Sequence, residues 1–326
     1  MTFVNIMKLW TLTTMLKAIM QIKVSGTYVF DKYFKKNAKG ILGNTAKLKI
    51  KRGGSIVLKS LAKNADRLRR DTKDVYELTI ELPRFGLTAE ILAHEMNEFE
   101  SLEGEAKVEA VSKRIKELMK EHLDDYATTI EYMSIGALFG KVIDGDGVVL
   151  FEFTTTDDPI EYKSVDHVET LDKIDDALVE ELGMEVPYEI LASPVFITRL
   201  AAVAKANNEF KDSGEAKWLD EDGKRILVYN SKRYIPFRAS WTDEDGNTHP
   251  FVSEGEAVVI PLSTKVFEAV YGRADHTDAF KAAPQLYFAS APEKMQGGKG
   301  WSFDTEVKMI PYCARPGALI KLKFSE

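Results

Sequence analysis

Ile130-Glu131-Tyr132-Met133-Ser134-Ile135-Gly136-Ala137-Leu138-Phe139-Gly140-Lys141-Val142 runs directly into Ile143-Asp144-Gly145-Asp146-Gly147-Val148-Val149-Leu150-Phe151-Glu152-Phe153. The first part keeps a helical period, with apolar residues three and four apart. Gly140 is a plausible helix stop. The second part sets two apolar runs around an Asp-Gly pair, the strongest short-range hairpin signal. A helix end, a glycine break and a β-hairpin in direct succession point to an α+β chain.

Upstream of this stretch, the apolar positions Val108, Val111, Ile115, Leu118, Tyr126, Ile130, Met133 and Ala137 continue the same spacing, with His122 as the exception. That makes about eight helical turns. Residues 88–140 therefore read as helical, and the length suits a spine crossing a flat subunit. Downstream, residues 168–182 read as a polar helix closed by Gly183. Residues 187–192 read as a short strand, and Pro194 opens a helix to Ala206. Residues 225–241, 257–261 and 318–324 are strand-like.

The leading part is different. Residues 41–85 contain two β-type runs, Leu48-Lys49-Ile50-Lys51 and residues 75–82, joined by a long basic stretch. They predict a projecting hairpin, which is poorly stable alone and needs a surface to lie on. Residues 1–40 read as a helical or irregular arm. Residues 1–22 are rather apolar, but Lys8 and Lys17 interrupt them and no cleavage pattern follows. An arm packed on protein is expected, and no membrane span.

Charge is the informative quantity. Residues 1–75 hold 17 Lys and Arg against 4 Asp and Glu, a net of +13. The remainder nets −20, which gives the chain its −7. A basic first quarter on an acidic body implies an acidic partner. Arg67-Leu68-Arg69-Arg70 and Lys35-Lys36 lack aromatic interleaving and carry no nucleic-acid signature. Another copy of the same chain is the better counter-surface, with Trp10, Phe30, Tyr33 and Phe34 as apolar anchors on that neighbour.

Chemistry is mostly missing from the pattern. The 326 residues are 44% hydrophobic and 29% charged, ordinary for a soluble folded protein. Cys313 is alone, so no intrachain disulfide forms and a reducing compartment suffices. His94, His122, His167, His249 and His276 are scattered. The loops at Asp144, Asp220 and Asp243 lack the full spacing and closing glutamate of a calcium loop. Gly297-Gly298-Lys299-Gly300 lacks a phosphate-loop context, and there is no Gly-x-Ser-x-Gly elbow. The acidic residues Asp172, Asp175, Asp176, Glu180 and Glu181 read as a solvated helix face. No catalytic, cofactor-binding or metal-binding residue is expected, and no cofactor.

The order of segments resembles the lambda-type major capsid proteins, the phage capsid protein E family. The resemblance spans nearly the whole chain. It is carried by Leu12-Thr13-Thr14-Met15-Leu16, by Tyr28-Val29-Phe30-Asp31-Lys32-Tyr33-Phe34, by residues 46–58, and above all by residues 130–142 leading into the hairpin. Tyr234-Ile235-Pro236, Val258-Val259-Ile260-Pro261 and Arg315-Pro316-Gly317-Ala318 follow in the same order. Lys49-Ile50-Lys51 departs from the family, where an acidic residue is common.

The resemblance implies a Hong Kong 97-type capsid fold: an arm over 1–40, an extended loop over 41–85, a peripheral domain over 86–157 and 281–326, and an axial domain over 158–280. It implies a non-enzymatic subunit that assembles with itself into pentamers and hexamers around DNA held without sequence-specific binding. Portal, scaffold and decoration proteins are the further partners it implies. The expected place is the virion, after assembly in the host cytoplasm. Lys59 and Lys63 lie where a crosslinking lysine could sit, although nothing in the sequence shows crosslinking. The rival readings are a nanocompartment shell of the same fold and a soluble α+β enzyme using the acidic helix or His167. Particle size separates the enzyme from the shells.

Overall fold

The computed structural model describes residues 2–24, 26–51, 75–152, 159–163, 167–210, 214–221, 223–242, 245–263 and 266–325. The chain divides into two compact units. One holds Met1–Ala46, Thr79–Glu131 and Ala269–Pro311; the other holds Lys47–Leu78, Tyr132–Glu268 and Tyr312–Glu326. Among the described residues there are six α-helices: α1 (Phe3–Met7), α2 (Leu12–Gln21), α3 (Ala93–Glu100), α4 (Gly104–Leu138), α5 (His167–Leu182) and α6 (Pro194–Ala206).

In the first unit the strand Gly300–Cys313 is the hub of a six-stranded sheet. Arg84–Leu92 lies antiparallel along it, from Lys308 opposite Arg84 to Gly300 opposite Leu92. Short strands occupy the other edge, and Ala38–Gly40 runs parallel to Phe267–Tyr271. The expectation of helix from residue 88 is corrected here, because residues 88–92 are strand. A helix-tolerant segment becomes a strand when a long partner offers it a full ladder, a tertiary effect that local pattern cannot report. The 14-residue hub carries no local signal that marks it as a strand in the sequence. It is buried along most of its length, so it shows no alternation.

The spine is α4, at 35 residues. Val111, Ile115, Met119, Leu123, Ile130, Met133 and Ala137 along it are fully buried. Two of its polar residues reach the hub strand in the first unit. Tyr126 Oη donates to the Thr305 carbonyl at 2.8 Å, and His122 Nδ1 lies 2.8 Å from Thr305 Oγ1.

In the second unit, α4 ends at Leu138 and Gly140 takes φ +84°. That left-handed turn suits glycine, since a side chain there is strained. The hairpin follows, Lys141–Ile143 against Val149–Glu152, with the Asp144 carboxylate accepting the amides of Asp146 and Val148. Gly136 explains the closeness of helix and hairpin. A Cβ there would stand 2.2 Å from the Lys141 carbonyl oxygen.

The remainder of this unit is built on a seven-stranded mixed sheet, ordered Ile160–Lys163, Ile320–Ser325, Glu256–Pro261, Tyr188–Ala192, Lys232–Pro236, Lys224–Tyr229 and Ala216–Glu221. Tyr188–Ala192 is buried on every residue, as a central strand covered on both faces should be. The helix α6 is capped by Ser193, whose hydroxyl accepts the Phe196 amide, and carries proline in its first turn. Gly183 ends α5 with φ +74°.

Candidate assembly surfaces

The predicted arm does not lie free. Phe3, Ile6, Met7, Met15, Ile19, Phe30 and Phe34 are each at most 2% exposed within this chain. The Phe3 ring stacks on Phe99 at 6.2 Å. Leu16, Ala274, Ala279 and Phe288 form one cluster, with Leu12 packed against it. The expectation that Trp10, Phe30, Tyr33 and Phe34 anchor on a neighbour is therefore corrected. All four are buried in their own chain. The reason is apolar spacing. Met15, Leu16 and Ile19 give α2 a stripe, and a helix with such a stripe finds the nearest apolar surface.

Polar contacts fix the arm as firmly. Glu131, near the end of the spine, accepts the Val29 amide at 2.7 and 3.0 Å and the Phe30 amide at 3.1 Å. These amides open the tight turn Phe30–Phe34. Glu100 accepts the Phe3 amide at 3.0 Å and the Lys107 ammonium at 2.6 Å. The Lys107 hydrogen bond, then the Phe3 amide, holds the Glu100 carboxyl below its ordinary range. The sequence placed Glu131 and the aromatic run 28–34 in separate motifs, and no local pattern joins residues a hundred positions apart.

The extended hairpin behaves differently. Thr45–Lys51 pairs with Val75–Glu81 as a separate two-stranded ribbon. Ala46 and Leu48 face inward, while Lys47, Lys49 and Lys51 are exposed on the alternate positions. The only ion pair described at this root is Lys47 with Glu77, at 4.0 Å between exposed groups. Val75 and Tyr76 are exposed as well, Tyr76 at 66%. The basic stretch between the two strands in sequence, with Lys59, Lys63 and Arg67 to Arg70, lies outside the described residues.

A charge network closes one side of the first unit. Glu306, 4% exposed, bonds Arg84 Nε at 2.8 Å and accepts the Asp275 amide at 2.8 Å. The nearly buried Lys308 donates to Asp275 at 2.9 Å. The Glu306 hydrogen bond raises the Arg84 pKa further above its ordinary value. Arg84, Asp275 and Glu306 line a cleft of about 230 Å³ with Thr88, His276 and Asp304. His276 is occupied as a cap, its Nδ1 accepting the Asp278 amide.

The other residues singled out in the sequence are dispersed. Cys313 is fully buried, and burial pushes its thiol up to about 12. His167 sits in an aromatic cluster of the second unit, stacked on Tyr229 at 4.3 Å and against the Tyr162 hydroxyl. Burial lowers its pKa to about 4. Asp172, Asp176 and Glu180 are exposed on α5, while Asp175 pairs with Lys232 at 3.4 Å. Among the described residues no three metal-binding side chains converge, and no helix is long and apolar enough to cross a membrane.

Known structures resemble this architecture across its length. A protein of an E. coli CFT073 prophage, described as a capsid protein, shares 14% identity with a TM-score of 0.58, covering 97% of this chain and 99% of its own. A phage-related protein from Bordetella bronchiseptica RB50 shares 11% identity at a TM-score of 0.50, covering 95% and 96%. The subunit of the bacteriophage PhiM1 mature capsid shares 14% at 0.50, covering 94% and 91%. The chain has the Hong Kong 97-type capsid fold. No curated protein matches the sequence significantly. The sequence model described as phage major capsid protein E matches residues 11–324, so the chain belongs to that family.

Proposed function

We propose that this chain, a tailed-phage shell protein by family, closes into an icosahedral head from pentamers and hexamers of itself, around double-stranded DNA. The single observation that carries the reading is the family match over residues 11–324. The reading gives residues 1–40 to the arm, 41–85 to the extended loop, 86–157 and 281–326 to the peripheral domain, and 158–280 to the axial domain. It makes the protein a structural subunit without catalysis, assembled in a bacterial host's cytoplasm and carried in the virion. A portal is its further partner, with scaffold and decoration proteins where assembly needs them.

Association is the mechanism. The exposed lysines of the hairpin root supply positive charge, and the chain outside residues 1–75 carries a net −20 to receive it. One exposed ion pair contributes only about 0–1 kcal/mol. Apolar burial adds about 25 cal/mol per Å², and exposed Val75 and Tyr76 are available for it. Repetition over many copies converts such contacts into a closed shell. The predominantly acidic body also keeps the shell from gripping its packaged nucleic acid.

Negative-stain microscopy and size-exclusion chromatography of the expressed protein test the reading. Closed particles or ring-shaped capsomers are expected. A small stable oligomer at every concentration would refute it.

A further inference from the structure

The arm and the spine are joined through one carboxylate. Glu131 accepts two successive backbone amides, Val29 and Phe30, at the start of the turn that buries Phe30, Tyr33 and Phe34. Amides at the start of a helical turn have no partner within it. A carboxylate is the strongest acceptor a side chain can offer.

We propose that Glu131 is a latch that keeps each subunit's arm on its own spine through assembly, so that copies do not exchange arms. The proposal rests on the shell reading above. At equilibrium neither burial nor the Glu131 bonds make this choice, since an identical neighbour offers both. An arm given to an identical neighbour makes the same apolar contacts there, which is why exchange between identical copies is a low-cost route. In dilute subunits the tether favours the arm's own spine. In a shell, neighbouring arms are held at comparable effective concentration, and that advantage shrinks. What then holds the arm is the barrier to letting go. Both amide bonds to Glu131 must break before Phe30 and Phe34 can leave their sites. Thr27 Oγ1 donates to Asp31 at 3.0 Å and keeps the turn formed while it is docked.

The experiment assembles particles from an equal mixture of light- and heavy-nitrogen chains carrying a photoreactive benzoylphenylalanine in place of Tyr28. Arm-to-spine crosslinked peptides are then read by mass. Peptide pairs of a single isotope are expected. Mixed pairs in statistical proportion would overturn the proposal. Glu131→Ala is expected to make mixed pairs appear about tenfold faster, because the charged hydrogen bonds it loses no longer oppose release of the arm. Glu131→Gln keeps an oxygen acceptor and should fall between the two. If both variants match the parent chain, Glu131 is no latch. If no particle forms from the parent chain, the shell reading fails. The same label then tests the latch on concentrated subunits, where an isotope-pure result supports it and a mixed one sinks it.

Discussion

The arm and the extended hairpin are both basic, and their described residues pack on their own chain to different extents. Residues 3–34 carry buried aromatic and aliphatic side chains at helical spacing and find their partners among Phe99, Phe288 and Glu131. The ribbon of Thr45–Lys51 and Val75–Glu81 buries one alternating face at Ala46 and Leu48 and leaves its lysines, Val75 and Tyr76 to solvent. Charge is the property the two share, so charge does not decide where a segment docks. Apolar spacing decides it.

The sharpest way to break this contrast is to cut into the arm. Phe34 is fully buried. Phe34→Ala should cost about 3–5 kcal/mol of subunit stability, the usual range for emptying a buried phenylalanine site. The check is a denaturant titration of unassembled subunits. A midpoint unchanged from the parent chain would return the arm to a neighbour and reverse the contrast.

Acid sets the arm against a third region, the aromatic cluster around His167, with a smaller effect. His167 is stacked on Tyr229, bonded to Tyr162 and near Tyr234, and the Glu209 carboxylate lies on the Tyr229 hydroxyl. Burial lowers its pKa to about 4 from an ordinary 6.5, against the opposing pull of Glu209. The unfolded chain therefore binds the proton more readily. Stability is full above pH 6.5 and falls as pH drops to about 4, by about 3 kcal/mol in all. The arm responds later. Glu100 is held below 4.5 by Lys107 and the Phe3 amide, so its contribution is lost only as pH falls below that value. Hydrogen exchange across a pH series should show the second unit loosening before Phe3. The His167→Phe chain should lose the first phase and keep the second.

Much of this fold was legible because its periods are strong. The spine, the Gly140 break, the Asp144 hairpin, α5 with Gly183 and α6 with Pro194 each have a local physical cause and stand where the pattern put them. What escaped was non-local. The hub strand Gly300–Cys313 has no alternation because it is buried along most of its length, and residues 88–92 are strand because that hub pairs with them. The Glu131 contact joins residues a hundred apart, and the arm's basic charge points to a neighbour while the stripe of Met15, Leu16 and Ile19 holds it on its own chain.

The smallest effect on the subunit separates the two regions most cleanly. Lys47, Lys49 and Lys51 stand on the exposed face of the ribbon, and the Lys47–Glu77 pair spans 4.0 Å between exposed groups. Such a pair contributes about 0–1 kcal/mol and is screened by salt. Reversing all three lysines to glutamate should leave the denaturant midpoint nearly unchanged, since surface substitutions usually fall within about 0.5 kcal/mol. On the proposed shell contact the same chain should assemble poorly, because each reversed residue would repel the acidic surface of the next copy, and every copy repeats the defect. High salt should restore part of the yield. The arm variant has the opposite signature, an unstable subunit at any salt. A triple-reversed chain that melts early would show that the lysines themselves, and not only Ala46 and Leu48, hold the ribbon on its own subunit. One that assembles normally would take the lysines out of the shell contact and leave Val75 and Tyr76 to carry it.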